Sequence, residues 1–236
     1  MASPEGLFDA LLATAPTRPF VTYYDDANHD RAELSVRSLA NWVAKTHFLL
    51  IDELGLGPGR AAFVDLPAHW VSVPPLLGCW TAGLEVVTDP SRADVGFVDP
   101  GRALRAVEIP DVFVIAPGSA AVGLEPGQVP PGMADYVAAV RPQADAWATV
   151  RAPATDADPA LDGETRAELV AAAAARARDL GLSPGARLLT GRDWHGPRDW
   201  VDLLLAPLVV GGSIVLVRDG ADLERRRVQE RATVVV

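Results

Sequence analysis

At 236 residues, 49% apolar and 22% charged, the chain has room for one or two domains with a sizeable core and is too apolar to be disordered. A net charge of −10 argues against nucleic acid as a partner and against an anionic membrane surface, since both select basic patches. Cys79 is the single cysteine, which excludes an internal disulfide and a thiolate metal cluster. Of 21 basic residues only Lys45 is lysine, which with 20 Gly and 20 Pro points to a GC-rich bacterial gene. No basic segment precedes an apolar core at the N-terminus, so no signal peptide is expected. The uncharged run 203–217 is short of the roughly 20 residues a membrane span needs, and Pro207, Gly211 and Gly212 break it. The expected localisation is cytoplasmic.

In chain order, residues 5–13 are predicted to form a short amphipathic helix. Residues 20–24 read as a strand that turns over the acid-rich tip 25–30 and pairs back through 31–34 as a hairpin. That tip lacks the regular ligand spacing of a metal loop and is read as an exposed turn, so no metal is expected. Ser35 caps a helix over 36–54, whose apolar row runs Val36, Ala40, Val43, His47, Leu50, Leu54. On that row His47 is read as a hydrogen-bonded core histidine; Lys45, off it, as a solvated surface lysine. Residues 61–66 are apolar for most of their length, as a parallel strand covered on both faces is. Pro67-Ala68-His69-Trp70 ends that strand, and a helix follows with Cys79 as a small buried hydrophobe. Short strands are expected at 84–87, 95–98 and 112–115. Residues 116–132 form a Gly/Pro loop too long for a simple connection, a helix spans 133–141, and 151–163 reads as a polar linker. Thr165 and Glu168 form a capping box at the head of a second long helix, 165–180. A strand at 187–190, a helical stretch and runs at 213–217 and 233–236 follow.

The stretch Leu54-Gly55-Leu56-Gly57-Pro58-Gly59 recurs as Leu180-Gly181-Leu182-Ser183-Pro184-Gly185. Each copy follows a long helix and leads into a short strand, a second helical stretch, a Gly-led β-branched run and a last apolar run. That order, stated twice, predicts an α/β fold of two pseudo-symmetric halves with mainly parallel sheets, divided as 1–150 and 151–236. Gly55 and Gly181 sit where a helix end wants a left-handed residue, and Pro58 and Pro184 forbid continuation. The Gly-x-Gly-x-Gly stretch follows a helix and opens a strand. It is therefore read as a turn, since a phosphate loop follows a strand and opens a helix.

In open parallel sheets ligands bind beyond the carboxyl ends of the strands. Both halves place His and Trp there: His69 and Trp70 after the first-half strand, and Arg192, Asp193, Trp194 and His195 after the second. These six are the candidate ligand-binding residues. Three readings stand side by side. One is a Trp packed under a loop with an exposed His, one a small-ligand site, and one an acid/base pair of Asp193 and His195. No nucleophile motif of the Gly-x-Ser-x-Gly kind accompanies them, so no catalytic residue is assigned.

Several stretches together resemble the adenylate-forming superfamily of acyl-CoA synthetases, luciferase-type ligases and adenylation domains. They are Ala32-Glu33-Leu34, the turn 54–60, Leu66-Pro67, residues 76–83, Val86-Val87-Thr88-Asp89-Pro90 and, more weakly, 168–217 with Gly211-Gly212-Ser213-Ile214-Val215-Leu216. The resemblance covers most of this chain but about the first half of such an enzyme. It implies the two-half α/β large domain of acyl-CoA synthetases and a pocket for a small acyl or nucleotide ligand, lined by Trp194 and His195. The family's Gly-rich, Lys-ended phosphate loop should precede the second long helix. That place holds Asp158-Pro159-Ala160-Leu161-Asp162-Gly163-Glu164-Thr165, which has no Gly run and no Lys. A phosphate loop aims backbone N–H groups and a cation at a polyanion, and acidic residues oppose that. The expectation is a truncated, non-adenylating relative with no cofactor assigned. The alternatives are a ligase half completed in trans by a partner chain and an interaction module. The apolar run 233–236 is expected to leave an edge that a second copy covers, making a dimer.

Overall fold

The computed structural model describes residues 3–119, 123–151, 153–220 and 222–236. Residues 120–122 of the expected 116–132 loop and Ala152 of the expected linker lie outside them. The elements in order are α1 (Pro4–Thr14), β1 (Pro19–Asp25), β2 (Asp30–Ser35), α2 (Val36–Phe48), β3 (Ala61–Asp65), α3 (Val73–Thr81), β4 (Glu85–Val87), β5 (Val95–Val98), β6 (Asp111–Val114), β7 (Ala134–Asp135) and α4 (Tyr136–Val140). They continue with β8 (Pro159–Leu161), β9 (Glu164–Thr165), α5 (Arg166–Asp179), β10 (Arg187–Thr190), α6 (Pro197–Trp200), α7 (Ala206–Val209), β11 (Ser213–Arg218), α8 (Leu223–Glu230) and β12 (Val234–Val235).

The repeated turn has the geometry its composition predicts. Gly55 and Gly181 have φ of 66° and 67°, and Gly59 and Gly185 have φ of 83° and 75°. After α5 the Leu182 amide donates to the Ala177 oxygen at 2.8 Å and the Gly181 amide to the Arg178 oxygen at 3.0 Å, a Schellman closure. The first copy is one residue wider, because Leu49–Glu53 forms a π turn before Gly55. That turn ends the predicted 36–54 helix six residues early as regular α-helix. Ser35 caps α2 as expected, its Oγ accepting from the Ser38 amide at 3.1 Å.

Two sheets result. One runs β12-β10-β11-β1-β2 and the other β7-β6-β5-β3-β4-β8-β9. All neighbours are parallel except the hairpin pairs β1–β2 and β8–β9. The duplication is visible in the order itself. β3 is flanked by β4 and β5, as β10 is by β11 and β12, and each trio is extended beyond its second strand by a hairpin. The hairpins are exchanged. β1–β2, ahead of the first long helix, joins the sheet of the second repeat through β11. β8–β9, ahead of the second long helix, joins the sheet of the first through β4.

The compact units therefore do not follow sequence order. One comprises residues 1–39, 68–70 and 167–236; the other comprises 40–67 and 71–166. The stretch 151–163, expected as linker, contains β8. Too short for periodicity, β8 is recognisable only by its buried Ala160 and Leu161 and by the Trp80 indole, which donates to the Ala160 oxygen at 3.0 Å. α8, which no sequence signal singled out, follows β11 and opens on an Asp222 cap whose Oδ1 accepts from the Arg225 amide at 2.8 Å.

In the first unit Phe8 packs edge-on to Phe20 at 6.1 Å, and Tyr24, Leu189, Val215, Val217 and Ala232 form a second apolar cluster. Arg18 donates to the Gly211 and Gly212 carbonyls, holding β1 to the turn that opens β11. In the second unit Phe63, Val98, Ala106, Ile109, Val112 and Val114 cluster, and Phe97 stacks on Phe113 at 5.6 Å. His47 is a buried core histidine as expected, its pKa lowered by burial against a hydrogen bond to the Thr81 backbone. Lys45 is not a freely solvated lysine. Its Nζ donates to the Arg141 and Gln143 oxygens at 3.1 and 2.6 Å, tying α2 to the end of α4. Cys79 is fully buried, and burial pushes its thiol pKa well up, so it serves as packing.

Gly212 is the tightest backbone approach. A Cβ there would run into the Ala186 carbonyl oxygen and lie 3.0 Å from that of Pro207. Gly212→Ala is expected to cost about 1–3 kcal/mol of overpacking. For a chain of this size that lowers the midpoint of thermal unfolding by about 3–10 °C, measurable by circular dichroism.

Candidate functional site

The carboxyl ends of the parallel strands of the five-stranded sheet gather most of the chemistry-bearing residues. β1 ends at Asp25 and β11 at Arg218, and the two are register partners. β10 ends at Thr190, and the chain then crosses residues 191–196 before α6. Residues 68–70 belong to the same unit. The structure thus brings together the two His-Trp stretches that sequence analysis named separately. The link is Asp193, whose Oδ1 accepts from the Ala68 amide at 2.6 Å and from its neighbour Trp194's amide at 2.8 Å.

The six candidates divide by burial. His69, Trp70 and Trp194 are buried, whereas Arg192, Asp193 and His195 are exposed. His69 sits edge-on to Tyr23 with ring centroids 4.1 Å apart, and 5.7 Å from Trp70. Burial lowers its pKa to about 3, helped by the positive charge of Arg218 and opposed by Asp25. At neutral pH it is therefore a neutral ring, suited to packing and hydrogen bonding. Tyr23 is pushed up to about 12 by burial and by Asp25, against its hydrogen bond with Arg218. Burial raises the Asp25 pKa too, but the Asn28 side chain at 2.9 Å and amide at 3.0 Å, with Arg218, hold it below the usual carboxylate value.

Arg192 is held by carboxylates. Its Nη2 donates to Asp199 Oδ1 at 2.6 Å, and its Nη1 lies 3.9 Å from Asp202 Oδ2. The other oxygen of Asp199 accepts from the His195 amide at 2.9 Å. Asp199 thereby fixes both ends of the 192–195 loop. Asp202 lies in a π turn, Val201–Leu205, and receives Arg176 through two bonds of 2.7 and 3.1 Å. The indole N–H groups of Trp194 and Trp200 are buried without a hydrogen-bond partner within the chain. Asp193 uses Oδ1 on two backbone amides and so shapes the loop.

Sequence reasoning missed Asp199, Tyr23, Asp25 and Arg218. Asp199 had a weak signal: the Gly196-Pro197 helix start puts it in the first turn of α6, four residues after His195. The other three meet through the pairing of β1 with β11 and carry no local signal.

In the seven-stranded sheet, the place where the family resemblance implies a phosphate loop is a tight hairpin. Leu161 pairs with Glu164 across Asp162 and Gly163, whose φ values are 45° and 93°, both positive as a type I′ turn requires. The tip is sealed. Asp162 accepts from the Thr88 amide at 2.9 Å and hydroxyl at 2.8 Å, and its own amide donates to the Val86 oxygen at 3.0 Å. The Gly163 amide donates to Glu85 Oε1 at 2.7 Å, and the Arg166 amide to the Asp158 oxygen at 3.0 Å. Arg166, the first residue of α5, is fully buried and donates to the Trp80 and Leu84 carbonyls at 3.1 and 3.3 Å, so it braces the hairpin from behind. Among the described residues no group of His, Cys, Asp or Glu is placed to hold a metal ion. No described helix is long and apolar enough to cross a membrane.

No protein-family model matches the chain. A Mycobacterium tuberculosis H37Rv protein, a TIGR03089 family protein, is 38% identical over 237 residues, covering 98% of this chain and 96% of that one. Among solved structures, a Brucella canis acyl-CoA synthetase matches 99% of this chain and 46% of its own length with a TM-score of 0.77 at 17% identity. An anthranilate CoA ligase in complex with anthranoyl-AMP matches 96% of this chain and 46% of its own with a TM-score of 0.72 at 16% identity. A benzoate CoA ligase from Burkholderia xenovorans LB400 matches 99% and 49% with a TM-score of 0.72 at 17% identity. At such identities these likenesses establish the fold. The chain spans about half the length of the solved structures it matches.

The depressed pKa of His69 has a consequence for stability. The unfolded chain takes up a proton near pH 6.5 while the folded one does not until about pH 3. Full stability is therefore present above pH 6.5. It is lost on acidification across that window at about 1.4 kcal/mol per pH unit from this group. Urea unfolding is expected to show a loss of about 2 kcal/mol from His69 between pH 6.5 and 5. His69→Gln should lessen the pH dependence by one proton's worth.

Proposed function

The chain belongs to the TIGR03089 protein family and carries the fold of about half of an adenylate-forming ligase, and on that premise we propose that it is a non-adenylating relative. It holds a small acyl or nucleotide ligand beyond the carboxyl ends of β1, β10 and β11. The observation that carries the first part is the sealed hairpin at Asp162 and Gly163. The amides at 162, 163 and 166 donate within the chain, and the tip presents a carboxylate where a triphosphate would need donors and a cation. The second part rests on position and on chemistry. The carboxyl end of a parallel sheet is where such folds take ligands. There Arg192 offers a half-exposed cation held in place by Asp199, in a loop with the exposed His195 and the buried Trp194. The same reading takes the protein as cytoplasmic.

A second reading has its own support. The solved ligases are about twice as long as this chain, which favours a half-enzyme completed in trans by a partner chain. Pyrophosphate exchange that appears only when such a partner is added would select it. The second copy expected to cover the 233–236 run also stays a proposal. β12 is paired on one side by β10, and Val235 is 41% exposed. Light scattering at micromolar concentration tests it, a mass that stays near 24.9 kDa on concentration being the contrary outcome.

Two measurements test the main proposal. With ATP and a panel of carboxylic acids, pyrophosphate exchange is expected to remain at background, and exchange with any one acid would overturn the non-adenylating reading. In a thermal-shift screen of AMP, acyl-CoA thioesters and free acids, at least one class is expected to stabilise. A ligand at about 100 times its Kd adds about 2.7 kcal/mol, roughly 5–10 °C here. Arg192→Ala should abolish that shift. A flat screen across all three classes would leave an interaction module as the surviving reading.

A further inference from the structure

Each repeat begins with a hairpin that it does not keep. From this reciprocal exchange we infer that the two sequence repeats are interlocked: neither holds a complete sheet without strands from the other, and the folded protein survives cleavage of the chain between them as a tight two-fragment complex. In the second repeat β11 is buried over five of its six residues and contains no charge or proline until Arg218. Without β1 it would be a flat apolar edge with unpaired amides and carbonyls, which soluble proteins avoid. β1 supplies five consecutive register partners, Val21 to Ile214 through Asp25 to Arg218. It also buries Phe20, Val21, Tyr23 and Tyr24, all from the first repeat, in the unit built mainly by the second. Arg187 of β10 reinforces the join, donating to Thr22 Oγ1 at 2.8 Å.

The return exchange is shorter and more polar. β8 sets Leu161 against Val86 and buries Ala160. It is fastened by Trp80 to the Ala160 oxygen, by Arg166 to the Trp80 and Leu84 oxygens, by Asp162 to Thr88 and by Gly163 to Glu85. The described residues of the connector between α4 and β8 take no part in either sheet. Ala144, Asp145 and Ala146 within it are all exposed. Cutting there removes one covalent link and leaves both sets of strand pairs intact.

The test uses the full chain with a protease site inserted between Ala144 and Asp145. After cleavage the two fragments should co-elute as one species of about the intact mass in native buffer and separate only in strong denaturant. Asp162→Asn, which keeps a residue tolerant of positive φ while weakening the bonds to Thr88, should weaken association of the cleaved fragments on the order of tenfold. Fragments that part in native buffer would overturn the inference. A cleaved Asp162→Asn protein whose fragments hold as tightly as the cleaved parent would remove the β8–β9 exchange from it.

Discussion

Backbone amides and carbonyls inside a sheet must find partners, and here the partners of the central strands come from far away in sequence. β11, near the end of the chain, is completed by β1, near its beginning, and β4 by β8. Much of the molecule answers to that obligation. Gly212 lacks a side chain because the chain must enter β11 against the Ala186 carbonyl. Arg18 reaches the carbonyls at the same turn from the start of β1. Arg166 goes into the interior to donate to the carbonyls behind the β8–β9 hairpin.

The same pairing makes the candidate site. Register between β1 and β11 puts Asp25 opposite Arg218 at the carboxyl edge, with Tyr23 one layer in. His69 lies against that Tyr23 ring in surroundings dry enough to keep it neutral. The loop after β10 is then shaped from two sides. Asp193 reaches back to the Ala68 amide, and Asp199 grips Arg192 and the His195 amide. The result is a loop with exposed Arg192 and His195 and buried Trp194 at the edge of a parallel sheet. The opposite design governs the tip of the β8–β9 hairpin. There a two-residue turn draws its polar groups inward, Asp162 to Thr88 and Gly163 to Glu85. The hairpin tip is a structural joint between β4 and the start of α5.

The duplication was legible because turn chemistry repeats in sequence what geometry repeats in space. Gly55 and Gly181, within one degree of each other in φ, are the case in point. Residues 20–24 and 31–34 were readable as a hairpin because apolar residues border a polar tip. β8 was not, since three residues with a leading proline carry no period and sit in a polar stretch. The π turn at Leu49–Glu53 was equally silent, because an apolar row drifts little over one widened turn. Lys45 was misread for a related reason: helical position placed it off the apolar row, while its carbonyl partners come from the end of α4.

By itself the sequence determined the α/β class, the two pseudo-symmetric repeats, the helix-ending glycines and a stretch before α5 with neither a Gly run nor a Lys. Those are local properties, written in side-chain period, backbone freedom and charge along a few neighbouring residues. It also placed His69, Trp70 and the 192–195 stretch at the carboxyl ends of strands, because those ends can be found from the strands. Tertiary structure alone decided which hairpin completes which sheet, that His69 and the 192–195 loop meet through Asp193, and that Asp199, Tyr23, Asp25 and Arg218 join them. Strand pairing is a choice among edges far apart in the chain. It is settled by the burial and hydrogen bonding of whole strands, quantities that no single window of sequence contains.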